Sequence, residues 1–166
     1  IFALSWALLY TQQSVTSFLM VQIVGAFVAM PCMVISGKVA NRFGRRTTLG
    51  VGGVLIAVYS GWTALLLSGG VVNSYLFVIV GYALLGFAHA QAAGAVSANF
   101  PSEFRYSGAM ITSDLGWLIG AAFAPLVALS LAIYAGVPYV GLYLLTGAVG
   151  TLAALWFSRQ SGLPND

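Results

Sequence analysis

Six basic residues interrupt a chain whose long stretches are otherwise apolar enough to dissolve in lipid, and all six fall on one side of it. Lys38, Arg42, Arg45 and Arg46 share one connection, Arg105 marks a second, and Arg159 lies in the carboxy-terminal tail. Between them run about five apolar segments, each near the roughly 20 residues needed to cross about 30 Å of hydrocarbon. Cationic connections stay on the cytoplasmic face. The pattern predicts an all-α polytopic membrane protein of defined orientation.

Composition agrees. Apolar residues make up 60% of the chain and charged residues 5%, with a mean hydropathy of +0.98. A soluble domain of 166 residues needs a charged shell that this chain cannot supply. The net charge of +3 therefore points toward anionic lipid headgroups and not toward nucleic acid. The single cysteine, Cys32, sits in an apolar run, which leaves no disulfide framework or metal cluster and assigns it to packing. Ile1–Tyr10 lacks the basic leader and cleavage site of a signal peptide. It is too short to span, so residues 1–10 read as the end of a transmembrane helix whose start is missing, and the chain as a fragment.

The expected spans are Ser17–Ser36, Thr48–Ser68, Ser74–Asn99, Ser107–Ile133 and Pro138–Phe157, together occupying residues 17–157, with 158–166 as a cytoplasmic tail. The first span runs inward to Lys38–Arg46, the second outward, and the third inward to Glu103–Arg105. The fourth leaves and the fifth returns Arg159 to the inside. The outer connections at Gly69–Asn73 and Tyr134–Val137 carry no Lys or Arg. The segment before them would travel outward to a turn at Thr11–Thr16.

Many of the 20 glycines lie within spans, among them Gly81, Gly86, Gly94, Gly108, Gly116 and Gly120. Small residues let helices approach closely in lipid, and Gly116-x-x-x-Gly120 fits that pattern. Pro31 and Pro125 each remove a helical hydrogen bond and predict a kink, as hinge or as passive bend.

Asp114 is the sharpest chemical feature. It lies roughly 10 Å into the fourth span at about 1.5 Å per residue, where an ionisable group needs a cavity or a partner. His89 and Gln91 come about 15 and 12 Å before the inner end of the third span, at comparable depth. Desolvation favours a neutral carboxyl and histidine titrates near neutrality, so this group suits proton exchange or solute contact. The competing reading is a buried polar bond that joins two helices. His89 and Gln91 are two residues apart, on different faces, and cannot both line one narrow path. Trp117, three residues after Asp114, is placed on its face, with Ala121 and Ala124 beyond; it suits a small organic solute or plain core filling. Gln22 and Gln12 are weaker pocket candidates. Trp62, Tyr75, Tyr134 and Tyr139 fit an interfacial belt. No Walker A sequence, zinc spacing or nucleophile elbow occurs, which leaves ATP-driven transport without support and gives no sign of an enzyme, a metal or a cofactor.

The loop Gly37-Lys38-Val39-Ala40-Asn41-Arg42-Phe43-Gly44-Arg45-Arg46 resembles the G-x-x-x-D-R-x-G-R-R loop of the major facilitator superfamily, in the copy between helices 8 and 9. The resemblance implies a gating loop, with Asn41 standing where Asp is usual and weakening any charge-based latch. Phe100-Pro101-Ser102-Glu103-Phe104-Arg105-Tyr106-Ser107-Gly108 is similar to the F-P-x-x-x-R-Y-[ST]-G segment before helix 11 of the metabolite:proton symporter branch, which carries shikimate, dicarboxylates or compatible solutes. Ala121-Ala122-Phe123-Ala124-Pro125 resembles its G-G-x-x-P with both glycines replaced.

The resemblance covers essentially the whole chain, as the end of helix 7 through helix 12. It implies a partial six-helix bundle, the carboxy-terminal half of a twelve-helix transporter in a bacterial inner membrane with its carboxy terminus cytoplasmic. The missing amino-terminal half would supply the other wall of the solute path. The implied activity is proton-coupled symport of a small polar metabolite by alternating access. The alternative is a truncated, transport-inactive fragment or membrane scaffold; a channel or membrane enzyme has less support from the motifs.

Overall fold

The computed structural model describes residues 2–10, 14–98 and 100–160. All regular structure in it is helical. The elements are α1 (Phe2–Tyr10), α2 (Val15–Phe43), α3 (Arg45–Ser68), α4 (Val71–Ala98), α5 (Arg105–Gly116), a π-helical turn at Trp117–Ala122, α6 (Ala124–Tyr134) and α7 (Val137–Gln160). Four helices are long and apolar enough to cross a membrane: α2, α3, most of α4 and most of α7. The expected ends on Asn99, the turn containing Gln12, and the tail from 161 onward lie outside the described residues, as do the side chains of Arg159 and Ala121.

Packing fixes the direction of each helix. Along α2 and α4, Gly25 lies against Tyr82 and Ala29 against Gly86, while Ser36 meets Phe87 and Gln91. The contacts advance together along both helices, which makes this pair parallel. Along α3 and α7, Gly53 meets Leu152 and Ser60 meets Gly141, so that pair is antiparallel. Tyr59 against Phe77 and Gly52 against Ala88 make α3 and α4 antiparallel too. The α2–α3 turn, the α4–α5 link and the end of α7 therefore share one end of the bundle. Lys38, Arg42, Arg45, Arg46 and Arg105 all gather there.

Glycine is required where the backbones nearly touch. A Cβ on Gly86 would fall 2.5 Å from the Ala29 carbonyl oxygen, and one on Gly141 would fall 2.5 Å from that of Ser60. These contacts draw α2 onto α4 and α3 onto α7, as small-residue packing in lipid demands. Gly116 and Gly120 do otherwise: a Cβ on either would meet nothing within 4 Å among the described residues, so their spacing joins no helix pair there. Phe18, Tyr59, Leu67, Phe77, Val78 and Val140 fill the buried core. Phe27, Leu65 and Val72 are among the large apolar side chains left exposed around the bundle, a surface suited to hydrocarbon.

The fourth expected span is not one helix. It divides into α5, the π turn and α6. Pro125 sits in the first turn of α6 and has no N–H to give the carbonyl four residues back, so one bond of the ladder is missing there. The Phe123 N–H bonds Gly120 O, three residues back, and the widened turn absorbs the mismatch. Pro31, by contrast, lies within the unbroken α2.

Candidate functional site

The break in the fourth span adjoins a cleft whose lining is mainly apolar with a few polar groups. It occupies about 500 Å³ between α4 and the α5–π segment, and its lining includes His89, Thr112, Ser113, Gly116, Trp117 and Gly120. The His89 and Trp117 rings meet edge to face with centroids 5.8 Å apart. That geometry suits the quadrupole of the indole and holds the cleft wall in place. Thr112 spends its hydroxyl proton on Gly108 O at 2.8 Å, while the adjacent Ser113 also lines the cleft. Ala92, Val96 and Ala109 supply an apolar floor. One ring pair and short hydroxyl side chains, with no Lys or Arg among the described lining residues, can hold a small solute that is partly apolar.

Asp114 is exposed, outside the cleft lining and one residue from Ser113. Trp117 was expected to share its face; Trp117 lines the cleft and Asp114 is not among the lining residues. At about 100° per residue Trp117 falls between Ser113 and Asp114 on the helix, and the cleft opens on the Ser113 side. α5 has no buried residue among those described.

Gln91 belongs to another structure altogether. Its amide donates to the Ser36 hydroxyl at 3.1 Å, and Ser36 donates in turn to Phe87 O at 2.6 Å. Gln91 is 5% exposed and Ser36 fully buried, so the pair clamps α4 to α2 and faces no path. Gln22 is half-buried in a second, almost wholly apolar cleft of about 320 Å³ with Tyr59, Phe77 and Tyr82. Of the five candidates, then, the fold brings His89 and Trp117 together, leaves Asp114 adjacent, and separates Gln91 and Gln22. Ser113 and Thr112 went unnoticed in the sequence. Ser113 lies four residues before Trp117, a spacing that marks a shared helical face.

The basic end is built from the two motifs. Gly44 alone links α2 to α3, at φ +86°, a conformation that glycine enters without steric cost. Its N–H bonds Ala40 O, and the Thr48 N–H and hydroxyl both return to Gly44 O. Gly37 is half-buried within α2; Lys38, Asn41 and Arg45 are exposed. The Arg42 guanidinium lies 5.4 Å from the Phe43 ring centre. Arg46 reaches across to donate to Leu155 O near the end of α7. In the second motif Arg105 donates to Phe100 O at 3.4 Å, and the Phe100 ring rests on Gly108, where a Cβ would fall 2.5 Å from it. Phe100, Arg105 and Gly108 thus form one folded link into α5.

No protein-family model matches the chain, and no solved structure matches it. Curated relatives do. The chain is 34% identical to one Haemophilus influenzae protein named for metabolite transport, over 92% of this chain and 34% of the relative. It is 34% identical to a second such protein of that organism, over 76% and 29%. It is 31% identical to the inner membrane metabolite transport protein YhjE of Escherichia coli, over 86% and 32%. The chain is thus a distant homologue of metabolite transport proteins, spanning about a third of their length. These relatives are named as transporters and not as enzymes, which bears out the expectation that the chain is not one.

Proposed function

We propose that the chain forms part of a secondary active transporter, the carboxy-terminal half of a major facilitator bundle, that carries a small polar organic metabolite with protons. The observation that carries this reading is the cleft beside the broken span, where His89, Trp117 and Ser113 converge one residue from Asp114. Discontinuous helices are the places where transporters build solute sites, because freed backbone groups and side chains then face a cavity. Asp114 is the proposed proton carrier and the cleft the proposed wall of the solute path.

The opposing wall is proposed to come from an amino-terminal half. The uncovered length of α5 supports this, since a helix without any buried residue awaits a second surface. The clustered cations orient the bundle with the Gly44 turn and the end of α7 in the cytoplasm of a bacterial cell. Rocking of the two halves would then expose the cleft to either side, with the Gly44 loop holding one of the two states.

The test is solute-driven proton movement in proteoliposomes holding the polypeptide expressed from the native locus. Metabolite uptake should dissipate an imposed pH gradient, and Asp114→Asn should retain binding while losing that dissipation. Unchanged proton-coupled uptake by Asp114→Asn removes the proposed carrier. Gradient-driven uptake by residues 1–166 alone in liposomes would remove the proposed need for a second half.

A further inference from the structure

The π turn stores one extra residue in the fourth span. In a straight α-helix, each step turns the chain by about 100° and advances it about 1.5 Å. A π turn takes up one residue without that advance, so the helix before it sits one position out of step with the helix after it. Here α6 is the fixed side: its Ala128 and Ala132 are buried and Pro125 anchors its first turn. α5 is the free side, with no buried residue. If the π turn relaxes to α-helix while α6 stays, α5 must turn by about 100° and slide about 1.5 Å toward the α4–α5 link.

The direction follows from counting. Each residue of α5 now occupies the place its successor would hold in an unbroken helix, so on relaxation each takes the place its predecessor holds now. Asp114 moves into the position of Ser113, which lines the cleft, and Trp117 moves into that of Gly116. One step therefore brings the carboxyl to the cleft, opposite His89, and puts an indole where a glycine had left space. The Trp117–His89 ring contact is what this step must break. Backbone bonds are exchanged and not lost, since i to i−5 pairs become i to i−4 pairs.

We propose that Trp117–Ala122 is a one-residue register switch that carries Asp114 in and out of the α4–α5 cleft. The assignment of Asp114 to proton transfer rests on the transport reading above; the movement does not. His89 is the titratable side chain that lines the cleft among the described residues, so it is the group Asp114 would meet.

Cross-linking tests the movement directly, in the full chain in lipid nanodiscs with Cys32→Ala. Ala92→Cys, on the α4 wall of the cleft, is combined in turn with Ser113→Cys, Asp114→Cys and Leu115→Cys, and disulfide formation is followed with a mild oxidant. The pairs with Ser113→Cys and Asp114→Cys should both cross-link, each in its own register, while the pair with Leu115→Cys stays unlinked because position 115 reaches the cleft in neither. Deleting Leu118 removes the stored residue and leaves α5 in its present place; it should abolish the 92–114 link and spare the 92–113 link. Absence of the 92–114 link in the undeleted chain overturns the proposal, as does a 92–115 link of equal rate, which would mean a loose helix. Should the deleted chain fail to fold, those first three pairs still decide. Failure of transport with an intact cross-linking pattern would sink the proton role and leave the switch.

Discussion

The Gln91 amide donates to the Ser36 hydroxyl across 3.1 Å, inside the bundle and away from either cleft. Ser36 is fully buried and passes its own proton to Phe87 O, so the chain of donors is closed. Ser36→Ala should leave the Gln91 amide short of an acceptor and cost about 1 kcal/mol, at the lower end of the range for a buried unsatisfied group because partners in lipid reassort. Gln91→Leu, which removes the donor as well, should add little when combined with Ser36→Ala. Unfolding by denaturant in detergent, run as a double-mutant cycle, checks both values.

Gly86 lets α4 touch α2, and Gly86→Val should push the two apart. Its side chain would meet backbone, with a Cβ 2.5 Å from Ala29 O, and backbone cannot rotate aside. A loss of about 1–3 kcal/mol is expected. Gly147→Val is the control, because nothing lies within 4 Å of a Cβ there. Thermal unfolding of the two variants side by side should separate them clearly.

Gly44 carries the whole reversal between α2 and α3 at φ +86° and ψ 147°. Gly44→Ala should cost about 1–3 kcal/mol, the penalty for a side chain in that region. Gly37→Ala, in open helical surroundings, should be neutral or slightly stabilising. Equal unfolding midpoints for both would contradict the turn geometry.

Trp117→Ala should raise the initial uptake rate, because the register step no longer has to break the edge contact with His89. An aromatic pair worth about 1 kcal/mol corresponds to roughly a fivefold change in rate. Trp62→Ala removes an indole that is 61% exposed and distant in sequence from the cleft, so its effect on rate should be small. Initial uptake rates at matched protein density in the membrane provide the comparison.

Much of this fold was legible because lipid permits few solutions. The apolar runs located α2, α3, α4 and α7 to within a few residues, with α2 extending beyond Ser36 to Phe43 and α7 running to Gln160. The basic residues identified the shared end. The fourth span escaped because composition does not record a hydrogen-bond ladder. Pro125 marks its break, yet Pro31 lies in a helix that continues, so proline alone did not distinguish them. The candidate site was half legible. His89 and Gln91 were expected to face apart, and they do: one lines the cleft, the other clamps α2. Asp114 and Trp117 were read onto one face, and Trp117 lines the cleft with Ser113 while Asp114 stays outside the lining, because Trp117 lies between its two neighbours on the helix. Ser36 gave no signal, as nothing in an apolar run tells which hydroxyl a distant amide will choose.

Transport by this bundle requires a bilayer that crosses it between its cationic end and the Gly70 turn. Single cysteines at Lys38 and Gly70, in a chain with Cys32→Ala, can be labelled in intact cells with a thiol reagent that does not enter them. Gly70→Cys should label from outside and Lys38→Cys only after the cells are opened. Labelling of both from the same side would contradict the membrane topology and the transport function built on it.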